Sequence, residues 1–115
     1  MSDNSHLHSE THLKVLRLLE AVPEMSQRDL ASRLGVSLGK ANFCLNALLS
    51  KGLLKMQSFQ NSKQKLAYAY LLTPSGIAEK ATLTSHFLSR KMDEYEALRA
   101  EIEVLKSEVA NGAGV

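Results

Sequence analysis

Apolar positions along the chain change period twice, and each change marks a boundary between elements. From Ser9 or Glu10 onward, Leu13, Leu16 and Leu19, with Val15 and Val22 one step over, recur at helical spacing until Pro23. This predicts a first helix ending near Ala21. The polar residues 1–8 read as a disordered N-terminal tail. Ser26 then opens S-Q-R-D-L-A-S-R-L-G, with Ser26 as N-cap, Asp29 at the third helical position, and Met25 placed to pack on Leu30 as a hydrophobic staple. Gly35 ends this short helix, because the chain turns there through a backbone conformation that favours glycine. Ser37 caps the next helix, which runs to about Leu49 and stops at Lys51 and Gly52.

Past Gly52 the pattern shifts toward a period of two. Leu53–Phe59 and Lys65–Thr73 read as the strands of a β-hairpin with a polar tip, Gln60–Gln64. On the second strand Tyr68 and Tyr70 share one face, and Ala67, Ala69 and Leu71 the other. T-P-S-G at residues 73–76 then opens about 36 residues of helix with no further Pro or Gly until Gly112. Within it Leu88, Tyr95, Ile102 and Val109 recur every seven residues, and Leu98 and Leu105 fill the complementary heptad position, where Lys91 interrupts. That is a coiled-coil seam beginning near residue 88. Glu94, Glu101 and Glu108 flank it on one side, and Met92, Arg99 and Lys106 on the other. A parallel pair of chains therefore sets Glu94 against Arg99 and Glu101 against Lys106 of the second copy. The earlier apolar residues Ile77, Ala78, Ala81 and Phe87 are expected to pack on the preceding domain. The organisation expected is a compact domain over residues 9–74, a dimerisation helix over 75–110, and a disordered tail over 111–115.

The net charge of +2 hides a strong asymmetry. Residues 26–65 carry Arg28, Arg33, Lys40, Lys51, Lys55, Lys63 and Lys65 against Asp29 alone, while the segments on either side are net acidic. Such concentration of cations suits a surface that meets a polyanion. A single cysteine, Cys44, excludes an intrachain disulfide framework and leaves too few thiolates for a zinc knuckle or iron–sulfur cluster. The longest apolar run, Leu66–Leu72, is far short of a membrane span, and the N-terminus has no signal-peptide pattern, so a cytoplasmic protein without membrane attachment is expected.

Two helices joined by a tight turn and followed by a hairpin make a winged helix-turn-helix, a mainly α fold with a small β-hairpin wing. Leu30, Ala31, Leu34, Val36, Ala41 and Cys44 fall where the two helices bury side chains against each other. What remains on the outer face of the second helix is Ser37, Leu38, Gly39, Lys40, Asn42, Phe43 and Asn46. Asn42 and Asn46, one turn apart, can offer paired donors and acceptors to adenine edges; Phe43 can touch a thymine methyl; Gly39 permits close approach. Ser37, the first-turn amides and Lys40 suit a phosphate or a guanine, and Arg28, Lys63 and Lys65 are placed to grip the backbone on either side.

The stretch S-Q-R-D-L-A-S-R-L-G-V-S-L-G-K-A-N-F-C-L-N-A-L-L-S-K-G-L-L and the L-L-T-P-S-G that leaves the wing resemble the MarR-type winged-helix transcriptional regulators, over roughly residues 10–110. N-S-K-Q-K-L-A-Y-A-Y-L-L-T-P and R-K-M-D-E-Y-E-A-L-R-A-E-I-E are similar to a small subgroup associated with exopolysaccharide gene clusters. The resemblance implies a homodimeric bacterial regulator of transcription that binds double-stranded DNA on a pseudo-palindromic operator. The wing has no Asp-x-Arg pair, and the chain is shorter than usual for this family; whether a small-molecule effector exists stays open.

Other chemistry finds little footing. Cys44 reads as a small core residue and not a redox sensor. His6, His8 and His12 have a spacing able to hold a metal, but no Cys or carboxylate pattern completes a site, so neither metal nor cofactor is expected. Tyr68 and Tyr70 read as wing and core packing ahead of base stacking. No phosphate loop, nucleophile elbow or H-E-x-x-H occurs, which argues against an enzyme. Two functional classes remain: a sequence-specific DNA-binding regulator, and a winged-helix adaptor that binds other proteins. The cation cluster favours the first.

Overall fold

A computed structural model describes residues 2–112 of the backbone and side chains from residue 9 onward. The elements run α1 (Ser2–Ala21), α2 (Gln27–Leu34), α3 (Leu38–Ser50), β1 (Leu54–Gln60), β2 (Leu66–Leu72) and α4 (Pro74–Gly112). The chain divides into two compact units, Met1–Thr84 and Ser85–Val115, the first of which includes the opening turns of α4. Of the tails expected at residues 1–8 and 111–115, residue 1 and residues 113–115 lie outside the described backbone. The backbone of α1 nevertheless begins at Ser2 and that of α4 reaches Gly112. No Pro or Gly stands between Ser2 and Ala21 to break the first helix, so it extends beyond its apolar stripe.

In the first unit three helices close around one core. Val15, Leu16 and Leu19 of α1, Leu30 of α2, and Leu45 and Leu48 of α3 are the largest fully buried side chains, joined by Met25, Cys44, Leu53, Leu54 and Tyr70. Met25 and Leu30 share this cluster, as the staple requires. Local chemistry sets the helix ends. The Asp29 N–H donates to Ser26 Oγ, and the Lys40 N–H to Ser37 Oγ, both at 3.1 Å. Gly35 then turns the chain at φ +70°, donating to carbonyls of the last turn of α2. Each such cap is worth about 1 kcal/mol.

The hairpin pairs antiparallel with Leu54 opposite Leu72, Met56 opposite Tyr70, Ser58 opposite Tyr68 and Gln60 opposite Leu66. Tyr68 and Tyr70 do share a face, but at different depths: Tyr70 is buried at the base of the wing and Tyr68 is exposed farther out. The base is tied to the helical part by two contacts, the Tyr70 N–H to the Pro23 carbonyl (2.9 Å) and Gln27 Nε2 to the Tyr70 hydroxyl (3.1 Å).

The T-P-S-G segment anchors the start of α4. Thr73 Oγ1 donates to the Gly52 carbonyl (2.6 Å) and accepts from the Gly76 N–H (3.0 Å), while the Thr73 N–H donates to the Leu53 carbonyl (3.1 Å). Gly76 is buried, and a Cβ there would lie 2.0 Å from the Leu53 carbonyl oxygen. This fixes the rotational phase of the helix. Gly76, Lys80 and Leu83 turn toward the winged unit, with Lys80 ion-paired to Glu20 of α1 and Leu83 packed on the core. The expectation that Ile77, Ala78 and Ala81 pack inward is corrected: all three are exposed, Ile77 at 55%. Close backbone contact at Gly76 decides the phase, and the hydrophobicity of Ile77 does not.

Candidate nucleic-acid interface

The two faces of α3 separate cleanly. Ala41, Cys44, Leu45 and Leu48 are buried, and Ser37, Leu38, Gly39, Lys40, Asn42, Phe43 and Asn46 are all exposed. The outer face is not a solvated polar surface of the ordinary kind, since Phe43 is 70% exposed and Leu38 43%. Asn42 and Asn46 stand one turn apart on this face. Nothing lies within 4 Å of the position a Cβ would take on Gly39, so the surface there is open between the side chains of its neighbours Leu38 and Lys40.

Electrostatics reinforce the geometry. Among the described residues no carboxylate lies within ion-pairing distance of Arg28, Arg33, Lys40, Lys51, Lys55, Lys63 or Lys65. Arg28 is exposed on α2, and Lys63 and Lys65 at the tip of the wing, so the structure places cations on the helix, on its predecessor and on the hairpin. Burial pushes the Cys44 thiol above its ordinary range and outweighs the opposing pull of the Lys40 ammonium one turn away. A buried, protonated thiol agrees with a core residue.

The wing tip has an organiser that the hydrophobic pattern does not single out. Asn61 Oδ1 accepts from the Lys63 N–H (2.9 Å) and the Lys65 N–H (3.0 Å), and the Asn61 carbonyl accepts from the Gln64 N–H (2.8 Å). Gln64 sits at φ +59°. Asn61 therefore holds the turn that carries both wing lysines; the signal in the sequence was an Asn opening a polar, Lys-rich turn. Gln27, bonded to Tyr70, was likewise not singled out.

In the second unit every residue from Lys91 to Gly112 is exposed. Leu88, Tyr95, Leu98, Ile102, Leu105 and Val109 are each exposed by more than two-fifths, and Ile102, Leu105 and Val109 line a shallow apolar groove. Phe87 is half-buried, with the Arg90 guanidinium 5.5 Å and the Lys91 ammonium 5.2 Å from its ring centre. Counting back by sevens from Leu98 leads through Lys91 and Thr84 to Ile77, and from Leu88 to Ala81. The exposed Ile77 and Ala81 thus fall on the heptad positions of Leu98 and Leu88.

His6 and His8 lie outside the described side chains, and among the described residues no three His, Cys, Asp or Glu converge as a metal site. No described helix is long and apolar enough to cross a membrane.

Comparison with known proteins agrees with this architecture. The winged helix-turn-helix DNA-binding family model matches residues 8–55. No curated protein matches the chain. Among solved structures it is similar to the transcriptional repressor CouR bound to a 23-mer DNA duplex, with 27% identity over 88% of this chain and 71% of that one, at a TM-score of 0.58. It is also similar to MepR, a transcription regulator of the Staphylococcus aureus multidrug efflux pump MepA (21% identity, 86% and 78% covered, TM-score 0.56), and to the PcaV transcriptional regulator from Streptomyces coelicolor (17%, 89% and 79%, 0.59). The chain has the winged helix-turn-helix fold, with α2 and α3 as the helix pair, the β1–β2 hairpin as the wing and a long C-terminal helix after it.

Proposed function

We propose that this protein is a DNA-binding transcriptional regulator of the MarR type, in which α3 enters the major groove of double-stranded DNA. The observation that carries this reading is the coincidence of an exposed, chemically mixed outer face on α3 with seven cations that have no carboxylate partner among the described residues. Phosphates would meet Arg28, Lys63 and Lys65, with Ser37 and Lys40 at the start of α3. Base edges would meet Leu38, Asn42, Phe43 and Asn46 across the gap at Gly39. Similarity to repressors and regulators of transcription, one of them bound to a DNA duplex, supports the same reading.

The regulator acts as a homodimer joined along α4 through Leu88, Tyr95, Leu98, Ile102, Leu105 and Val109. The helices run parallel, with Glu94 and Glu101 facing Arg99 and Lys106 of the second copy. Two α3 helices then read a pseudo-palindromic operator with half-sites about 34 Å apart, or a multiple of that. Residues 9–74 form the DNA-binding part and 75–110 the dimerisation helix. A cytoplasmic location follows from this role, and the likeness of the wing and of residues 90–103 to the exopolysaccharide-associated subgroup makes exopolysaccharide genes the first targets to examine.

Fluorescence anisotropy with a random-sequence duplex at two salt concentrations tests the reading. Binding that weakens steeply as salt rises supports it, because each neutralised phosphate releases counterions. No binding at low salt would overturn it in favour of a winged-helix protein-interaction adaptor.

A further inference from the structure

We propose that the outer face of α3 recognises thymine methyl groups, so that the half-site beneath it is rich in A·T pairs. This rests on the DNA-binding reading above and specifies its ligand. Helix α3 has no Arg, Asp or Glu, and Lys40 is its only cation. The face is therefore poor in the forked donor that best reads guanine and in the acceptors that read the amino group of cytosine. Its prominent side chains are two amides, Asn42 and Asn46, and two apolar groups, Leu38 and Phe43. The thymine methyl is the apolar group that base edges present in the major groove, and adenine, its partner, presents the neighbouring donor and acceptor that an Asn amide matches. One A·T pair thus offers side by side what this face offers side by side.

Gly39 completes the arrangement. Helical side chains lean toward the N-terminus, and Gly39 stands one turn before Phe43 on the same face. With no side chain on Gly39 and nothing within 4 Å of its Cβ position, the helix beside Phe43 is open to close approach. A large aromatic ring stands 70% exposed in the middle of a cation-rich surface. Seated on a thymine methyl, it would lose that contact with water.

The test uses the full-length protein. Selection from a random duplex library supplies the preferred site, and anisotropy then compares that site with copies in which single half-site thymines are replaced by deoxyuridine, which removes only the methyl. The expected result is A·T-rich half-sites and a loss of about fourfold in affinity at each contacted thymine for the wild type. The same replacement should have no effect on Phe43→Ala. Gly39→Ala, which meets no atom in the folded chain, should keep its melting temperature and bind the selected site about fivefold more weakly or worse. Selected half-sites rich in G·C, deoxyuridine equal to thymine for the wild type, or wild-type affinity in Gly39→Ala would each overturn this inference while leaving DNA binding intact. Failure to enrich any duplex would overturn the DNA-binding reading itself.

Discussion

The cations of residues 26–65 and three of the five cations of α4 stand in opposite circumstances. In the first group no charge has a carboxylate partner among the described residues. In α4, Lys80 pairs with Glu20, Lys91 with Glu94 at 3.0 Å and Lys106 with Glu103 at 3.6 Å. The apolar surface is distributed differently as well. On α3 it is confined to Leu38 and Phe43 among amides and a lysine, whereas on α4 it forms a heptad stripe flanked by charges of both signs. A surface that keeps its positive charge unneutralised is suited to a polyanion. One that pairs much of its positive charge with carboxylates and exposes an apolar stripe is suited to another apolar helix, since an isolated helix gains most of its stability from packing. The two regions are thus built for partners of different chemistry.

The largest expected effect comes from breaking the α4 side of this contrast. Ile102→Glu places a charge in each half of the seam, at a cost of about 3–5 kcal/mol or more per dimer, and light scattering should find monomers. An unchanged dimer would show that the seam lies elsewhere. Next is Gly76→Ala, whose added methyl meets the Leu53 carbonyl; a loss of about 3 kcal/mol or more is expected in thermal or denaturant unfolding. Wild-type stability there would mean that the start of α4 is not held by this close contact. Asn42→Ala should cost about 1–3 kcal/mol on a selected site and little on random DNA, because its loss relaxes base preference. The smallest effect belongs to Lys63→Ala: affinity should fall alike on all sequences, and the slope of log affinity against log salt should flatten by about one unit. If both variants weaken random DNA alike, the division between base-reading and phosphate-holding residues is wrong.

How much of this was legible in the sequence depends on how local each determinant is. The ends of α2 and α3 were readable because Ser26, Gly35 and Ser37 act on neighbours within four residues. The exposed face of α3 was readable because its buried set repeats at helical spacing. The orientation of the opening turns of α4 was not. Ile77 invites burial on hydrophobicity alone, and only contacts made across the fold, Thr73 to Gly52 and Gly76 against Leu53, turn it outward. Asn61 acts just as locally as Ser26 and Ser37, on the amides two and four residues ahead, but the hydrophobic pattern that marked the hairpin draws no attention to a polar turn residue. The first turns of α1 carry no apolar repeat to announce them.

The central claim is that a duplex is met by α3 and the cations around it, and not by α4. Backbone amide chemical shifts followed by NMR as a short duplex is titrated into the protein test this most directly. The account predicts shifts concentrated at Arg28, residues 37–46 and residues 61–65, with residues 95–109 undisturbed. Shifts concentrated along residues 95–109, with residues 37–46 unmoved, would contradict it.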